Sequence, residues 1–520
     1  MMPYNLRKRK EPVAAPEVKA EPAKKKVARP RATATKKETT KKIESNHVTK
    51  PENKLEENHT IIEPEKTKVT TKPKAKKETK PRVTKQQEVK EQEEDKQEAT
   101  QQQEELAKEE SPKHEEEKIE SSRNQLVFGI DSCGELGLGK IGIKKKAPTE
   151  VPIAEPIKQV ACGPMHTLSL TESGQVYTYG CNDEGALGRV TDGDETKEAT
   201  PELVPIKGTV IKVTAGDSHS AALTEDNEVY VWGNFRDEHG SVGLTPSSEG
   251  QAVPHPTQVL PEKKLKDIAS GSNHMLLLDV DGVVYSFGVG AQGQLGRLSS
   301  DQVGSEKEGD SNAIHASNRE LFLKPQPVSL KDVDPQRPFI CDAIYAGNMS
   351  SFATNTDKKK NRLAGWGLNN YFQLGYKGQK GQLIQYHPRR STFTCSTSMI
   401  DVACGQHHSL FLTKTGRVYS AGRHEYGMLG LGKLNKEVCP AKQIETLGNS
   451  IKQISAGINT SFAVSEEGKL YTWGMSGVNL GIDEEDKDLN VPTEMKAFGG
   501  RQVVQVAAGG SFTAVLIKRT

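Results

Sequence analysis

Residues 213–244, VTAGDSHSAALTEDNEVYVWGNFRDEHGSVGL, decide how the rest of the chain is read. The first half predicts a β-hairpin. Ser220, Ala221, Ala222 and Leu223 alternate into a turn at Glu225, Asp226 and Asn227, and Val229, Tyr230, Val231 and Trp232 lead out of it. This hairpin recurs down the chain, so it is a building block. The second half does not recur. Elsewhere the aromatic–Gly pair opens a compact segment ending in Leu-Gly, as in WGLNNYFQLG from Trp366. After Trp232-Gly233 the chain runs NFRDEHGSVG instead, longer and charged. A repeat that breaks its own pattern at one place points to function there.

Outward from this stretch, two half-motifs alternate. The first, an aromatic or small residue and Gly followed by a Leu-Gly ending, falls at Phe128-Gly129, Tyr179-Gly180, Trp232-Gly233, Phe287-Gly288, Trp366-Gly367, Ala421-Gly422 and Trp473-Gly474. The second, V-x-[AS]-[CAS]-G with His, Phe or a small residue and Ser or Thr beyond, centres on Gly163, Gly216, Gly271, Gly347, Gly405, Gly457 and Gly509. Successive spacings are 53, 55, 76, 58, 52 and 52 residues. A period just above fifty with about four short strands and Gly-rich turns is a propeller blade, not a helical solenoid. The chain opens on the first half-motif and ends on the second. Those two leftover halves complete one blade, 506–516 pairing near 127–138, which closes the ring and removes its free edges. The predicted fold is an all-β, seven-bladed β-propeller over 124–520. The 76-residue spacing leaves about 24 extra residues, placed in 298–324 with Lys307 and Arg319; a loop this long is either functional or disordered.

The net charge of +2 hides an asymmetry. Residues 1–50 carry 15 Lys+Arg against 5 Asp+Glu, residues 85–120 carry 6 against 14, and 123 onward carries 41 against 44. Attraction to a polyanion therefore belongs to the first fifty residues. Between Tyr4 and Phe128 there is no aromatic residue, so 1–123 is predicted to be a disordered tail, with a solvated helix as the only order expected near 85–120. Its clusters Arg7, Lys8, Arg9, Lys10 and Lys24, Lys25, Lys26 serve either to solubilise the chain or, in the sharper reading, as a nuclear-import signal that also meets nucleic-acid phosphate. Seven cysteines, an odd number without a C-x-x-C pair, argue against a disulfide framework or zinc site and predict small buried thiols in a reducing compartment. No signal-peptide h-region and no long apolar run is present, which predicts a soluble, intracellular chain without membrane contact.

The paired half-motifs and the basic tail resemble the regulator of chromosome condensation family, over essentially all of 124–520. The stretch GDSHSAALTEDNEVYVWGNFRDEHGSVGL carries the resemblance most specifically. It implies a guanine-nucleotide exchange factor for the small GTPase Ran, working on chromatin in the nucleus. In the family the segment matching 235–242 is a β-wedge that protrudes from the propeller and presses on the GTPase's nucleotide site. Phe235, Arg236, Asp237 and Glu238 are therefore the expected exchange residues, with Asp237 or Glu238 as a substitute counter-charge for the emptied phosphate site. The same resemblance brings Asp217 and His407 to the GTPase-facing rim, and places Asp131 near another acidic position there. Asn273 stands where the family has aspartate; it keeps size and hydrogen bonding without the charge, so restoring the charge is expected to preserve or raise activity. The implied partners are Ran, the nucleosome through its histones and DNA, and nuclear import receptors, with Arg319 the candidate for the acidic histone surface.

His166, His219, His274 and His408 recur three residues after the repeat glycine and are expected to hydrogen-bond within their own blades; His407 is off that position and is read as functional. No nucleophile–base pair, metal-ligand cluster or phosphate-cradling loop is found, so neither cofactor nor metal is predicted and any exchange proceeds without covalent chemistry. A photoreceptor would need clustered tryptophans, and the chain has Trp232, Trp366 and Trp473 alone. The rival reading is a propeller scaffold that binds chromatin or another partner without catalysing exchange. A ubiquitin-ligase module would need a catalytic domain that this sequence does not contain.

Overall fold

A computed structural model describes residues 123–519, apart from 304–317, 358–359, 379–381, 392, 394–397 and 483–485. The tail, its basic clusters and Lys307 lie outside the described residues. The described residues form seven four-stranded antiparallel sheets and one separate two-stranded hairpin. In chain order blade 1 is Ile157–Cys162, His166–Thr171, Val176–Gly180 and Glu202–Leu203. Blade 2 is Val210–Ala215, His219–Thr224, Val229–Gly233 and Val253–Val259. Blades 3 to 6 follow in the same order, their first strands beginning at Leu265, Ala343, Met399 and Ile451.

The last blade joins the two ends of the propeller. Phe512–Lys518 lies between Val503–Ala508 and Arg123–Ile130, and Lys144–Glu150 completes the sheet. Leu126 faces Val515 and Val127 faces Ala514, as the leftover half-motifs predict. Residues 131–138 fall beyond the paired strand.

The second strands of blades 1, 2, 3, 5 and 6 are buried on both faces: His219–Thr224 shows no exposed residue, and neither does His408–Thr413. The alternation expected from the sequence is absent because each blade is stacked against a neighbour on either side, as inner strands of doubly covered sheets are. Leu168, Leu170 and Val176 of blade 1, for example, pack on Val213, Ala222 and Trp232 of blade 2. The three tryptophans are pegs between blades. Trp232, Trp366 and Trp473 are fully buried and donate Nε1–H to the carbonyls of Ala186, Gln294 and Met428 at 2.8, 2.9 and 3.0 Å. Each indole lies on a glycine of the previous blade. At Gly296 (φ +68°) a Cβ would come 2.5 Å from the Trp366 nitrogen, so only glycine fits.

Polar side chains lace the inner strands together. Gln159 exchanges two 3.0 Å hydrogen bonds with the Val213 backbone of the next blade. Gln505 does the same with Val160, and Gln453 with Val506. At the matching place in blade 2, Lys212 pairs instead with Asp267 of blade 3. All six described cysteines, the five half-exposed thiols and Cys341, are free of disulfides. Of the described cysteines only Cys341 is buried, a correction to the expectation that all are core residues.

A candidate functional site on the propeller rim

The departure after Gly233 is the separate hairpin, Phe235–Asp237 paired with Gly240–Gly243. Arg236 sits opposite Ser241 and Asp237 opposite Gly240. The turn is built locally: Asp237 Oδ1 accepts the backbone N–H groups of His239 (2.8 Å) and Gly240 (3.1 Å). That leaves Glu238 at the tip, its side chain 75% exposed and 3.5 Å from His239.

The segment does not protrude as a whole. Phe235 is fully buried, edge-on to Phe287 of blade 3 with ring centroids 5.6 Å apart, and to His219 at 4.7 Å. Val242 and Leu244 are buried in the same core. The expectation of a free-standing 235–242 is therefore corrected: the rim feature is 236–241, and Phe235 is its root.

The hairpin is tied on both sides. From blade 3, the Asn273 side-chain oxygen accepts the Arg236 backbone N–H at 2.8 Å, while its amide donates to Asp217 Oδ2 at 3.3 Å. Asn273 thus uses both ends of its amide at once. An aspartate could still accept the Arg236 N–H, but could not donate to Asp217 and would set a second carboxylate beside it, so the two contacts favour asparagine here. Burial pushes the Asp217 carboxyl above its usual range, against the hydrogen bonds from Ser272 and Asn273. From blade 1, Glu184 accepts from Asn234 Nδ2 at 2.6 Å and pairs with Arg236.

His407 lies on the same end of the ring, in the turn before His408–Thr413 of blade 5, three blades from the hairpin. Its ring packs on Tyr371 with centroids 4.9 Å apart, and the Arg423 guanidinium covers the same tyrosine at 5.2 Å. Burial, then the nearby Arg423, lowers the His407 pKa, so its imidazole is neutral at physiological pH.

Two other expected residues are placed elsewhere. Asp131 is buried, and its carboxylate accepts the backbone N–H groups of Gly134 (2.7 Å) and Leu136 (3.1 Å). Asn182 and Asn369 close their loops through the same bond, to Leu187 and Leu374, both 3.0 Å. Asp131 is thus the loop-closing residue of its own repeat. Arg319 begins the short helix Arg319–Leu323, with its Nε buried and its guanidinium 3.4 Å from where a Gly250 Cβ would sit. The residue as a whole is half-buried and leans on the loop after the hairpin.

The repeated histidines bond between blades, not within them. His166, His274 and His408 reach Ser220, Ser351 and Ser461 of the following blade at 2.9, 2.8 and 2.8 Å. His219 makes no such bond, because the next blade carries Met275 where the others have serine; both its ring nitrogens are buried without a partner. Sequence reasoning missed Glu184 and gave His219 a hydrogen bond that it does not make; aligning the repeats on the position that holds Ser220, Ser351 and Ser461, where blade 3 has Met275, would have shown the second.

A seven-bladed propeller of paired glycine half-motifs, with one hairpin on its rim, is the class that fold and site define. Residues 124–515 match the RCC1-like domain, and the chain belongs to that family. It is 39% identical over 399 residues to the regulator of chromosome condensation of Xenopus laevis, covering 76% of this chain and 89% of the relative. It is 31% identical over 440 residues to the guanine nucleotide exchange factor SRM1 of Saccharomyces cerevisiae, covering 74% and 85%. The crystal structure of Prp20p from Saccharomyces cerevisiae superposes with a TM-score of 0.67 at 29% identity, over 77% of this chain and 92% of that one.

Proposed function

We propose that this chain is a guanine-nucleotide exchange factor for the small GTPase Ran, held on chromatin, and that residues 236–241 are the element that drives nucleotide out. A GTPase holds its nucleotide through a phosphate-binding loop, a lysine and Mg²⁺. A partner accelerates release when it binds the emptied form better than the loaded one, because coupling between two ligands is reciprocal. The observation that carries the reading is a short hairpin rooted in the core by Phe235, braced from blades 1 and 3, and carrying an exposed carboxylate at its tip. Asp237 is engaged in the turn, so Glu238 is the acid available to replace phosphate charge near the GTPase lysine. Asp217 and His407 on the same rim would form the docking surface around it. The names of relatives support the reading: one is an exchange factor, the Prp20p structure is described with its binding to Gsp1p and to histones, and a further structure shows Kap60 bound to yeast RCC1.

In this account Arg7, Lys8, Arg9, Lys10, Lys24, Lys25 and Lys26 contact DNA phosphate and are recognised by nuclear import receptors, giving a nuclear, chromatin-bound protein. The test is release of labelled GDP from Ran by the purified full chain. Acceleration supports the exchange reading; Ran binding without acceleration would replace it with the scaffold.

A further inference from the structure

Each compact loop carries one residue just before its central glycine: Cys133, Glu184, Gln292 and Tyr426 in four of the blades. The position is an acid only in blade 1, whose neighbour bears the hairpin. Glu184 turns this into a brace. One oxygen accepts from Asn234 Nδ2 at 2.6 Å and from Ser241 Oγ at 3.2 Å; the other takes the Arg236 guanidinium and lies 3.4 Å from Ser241 Oγ. Asn234 is at the root, Arg236 on the outgoing strand, and Ser241 directly across from it on the returning strand. A single carboxylate, its side chain 18% exposed, therefore grips the root and both strands.

We infer that Glu184 is a positioning residue for nucleotide exchange: it fixes the angle and stiffness of the hairpin without itself meeting the GTPase. The inference rests on the exchange reading above. A two-stranded ribbon of three and four residues has too little pairing to hold a direction on its own. If it bent under load it would accommodate the nucleotide-bound form nearly as well as the emptied form, and the difference in affinity that drives release would shrink. Asn273 holds a single backbone N–H from the far side, whereas the brace from blade 1 reaches a side chain on each of the two paired strands.

The experiment compares the full-length wild type with Glu184→Ala, Arg236→Ala and the double variant. It measures GDP release across a range of Ran concentrations, and amide hydrogen exchange at His239 and Gly240. The expected result is a maximal rate about tenfold or more lower in Glu184→Ala, with the half-saturating Ran concentration changed by less than about threefold. The tip amides should exchange about tenfold faster. The double variant should fall no further than the larger of the two single losses, because the Arg236 contact is one of those that Glu184→Ala already removes. Wild-type rates and wild-type tip exchange in Glu184→Ala, or losses that multiply in the double variant, would overturn the inference. Should Glu184→Ala not fold, Ser241→Ala removes one grip from an exposed residue and should show a smaller loss in the same direction; no loss there would also overturn it. If the wild type itself does not accelerate GDP release, the exchange reading fails, and hydrogen exchange still decides whether the brace exists.

Discussion

Blade 1 and blade 2 close their outer loops with the same device and reach different ends. In blade 1 the Asn182 side chain accepts the N–H of Leu187, five residues on. In blade 2 the Asn234 side chain accepts the N–H of Gly243, nine residues on. The anchor is retained and the enclosed segment grows, so four more residues must leave the propeller surface, and they leave as a hairpin. The histidines show what accompanies it. His166 of blade 1 bonds to a serine of blade 2, whereas His219 of blade 2, with Met275 at the serine position of blade 3, packs its ring on Phe235. A hydrogen bond between blades has been exchanged for an aromatic root under the hairpin. A working element can thus be grown on a repeat by lengthening one loop while its closing bond stays in place.

The largest effect on this comparison should come from the root. Phe235→Ala empties a fully buried aromatic site and should cost about 3–5 kcal/mol of stability, read as a lower melting temperature. Glu238→Ala, at the exposed tip, should leave melting unchanged within about 0.5 kcal/mol. Equal melting of the two variants would show that Phe235 is not a core residue.

The histidine pair comes next. His408→Leu removes one of the two hydrogen bonds of Ser461 Oγ, leaving the one it donates to the Met428 carbonyl, and should destabilise by about 1–2 kcal/mol. His219→Leu removes two buried nitrogens that bond to nothing, so its cost should be within about 0.5 kcal/mol, or a gain. Comparable losses in urea unfolding would contradict the exchange of bond for ring.

Asn273→Asp should lower the exchange rate about tenfold and stability at pH 7 by about 1–2 kcal/mol, since it faces the Asp217 carboxyl. Two facing carboxylates raise one pKa in the folded state. The penalty is therefore absent below the ordinary carboxylate value and grows as pH rises through the raised one. A variant equally stable relative to wild type at pH 4 and pH 7 would remove this explanation.

The smallest effect lies at the inner strands. Asp401 occupies the place where Gln159, Gln453 and Gln505 clamp their neighbours, and burial pushes its carboxyl up to about 6. A raised folded value means that its contribution is full at low pH and is lost as pH climbs toward 6. Asp401→Gln should thus match wild type near pH 4 and exceed it by about 1 kcal/mol at pH 7. A gain that does not depend on pH would point to another cause.

Much of this was legible in the sequence. Periodic glycines and half-motifs at the two ends of the repeat region were enough for the blades and for closure through Arg123–Ile130, because propeller repeats write each blade out in full. The position of the hairpin was legible as a break in that pattern. Its depth was not: NFRD reads as one charged run, and whether Phe235 turns inward depends on where the Asn234 bond closes the loop, which composition does not record. Asp131 looked like a rim acid only while it was not aligned with Asn182 and Asn369. Glu184 is far from the hairpin in sequence and becomes part of it only when blade 1 is stacked on blade 2.

The central claim is that residues 236–241 act on the bound nucleotide while the rest of the propeller holds the GTPase. A variant that keeps Phe235 and Val242 and replaces 236–241 by a short Gly-Ser turn tests this directly, by labelled-GDP release from Ran alongside Ran binding and melting temperature. The account predicts a folded propeller that still binds Ran, with release slowed by about 100-fold or more. Release at the wild-type rate from that folded variant would contradict it.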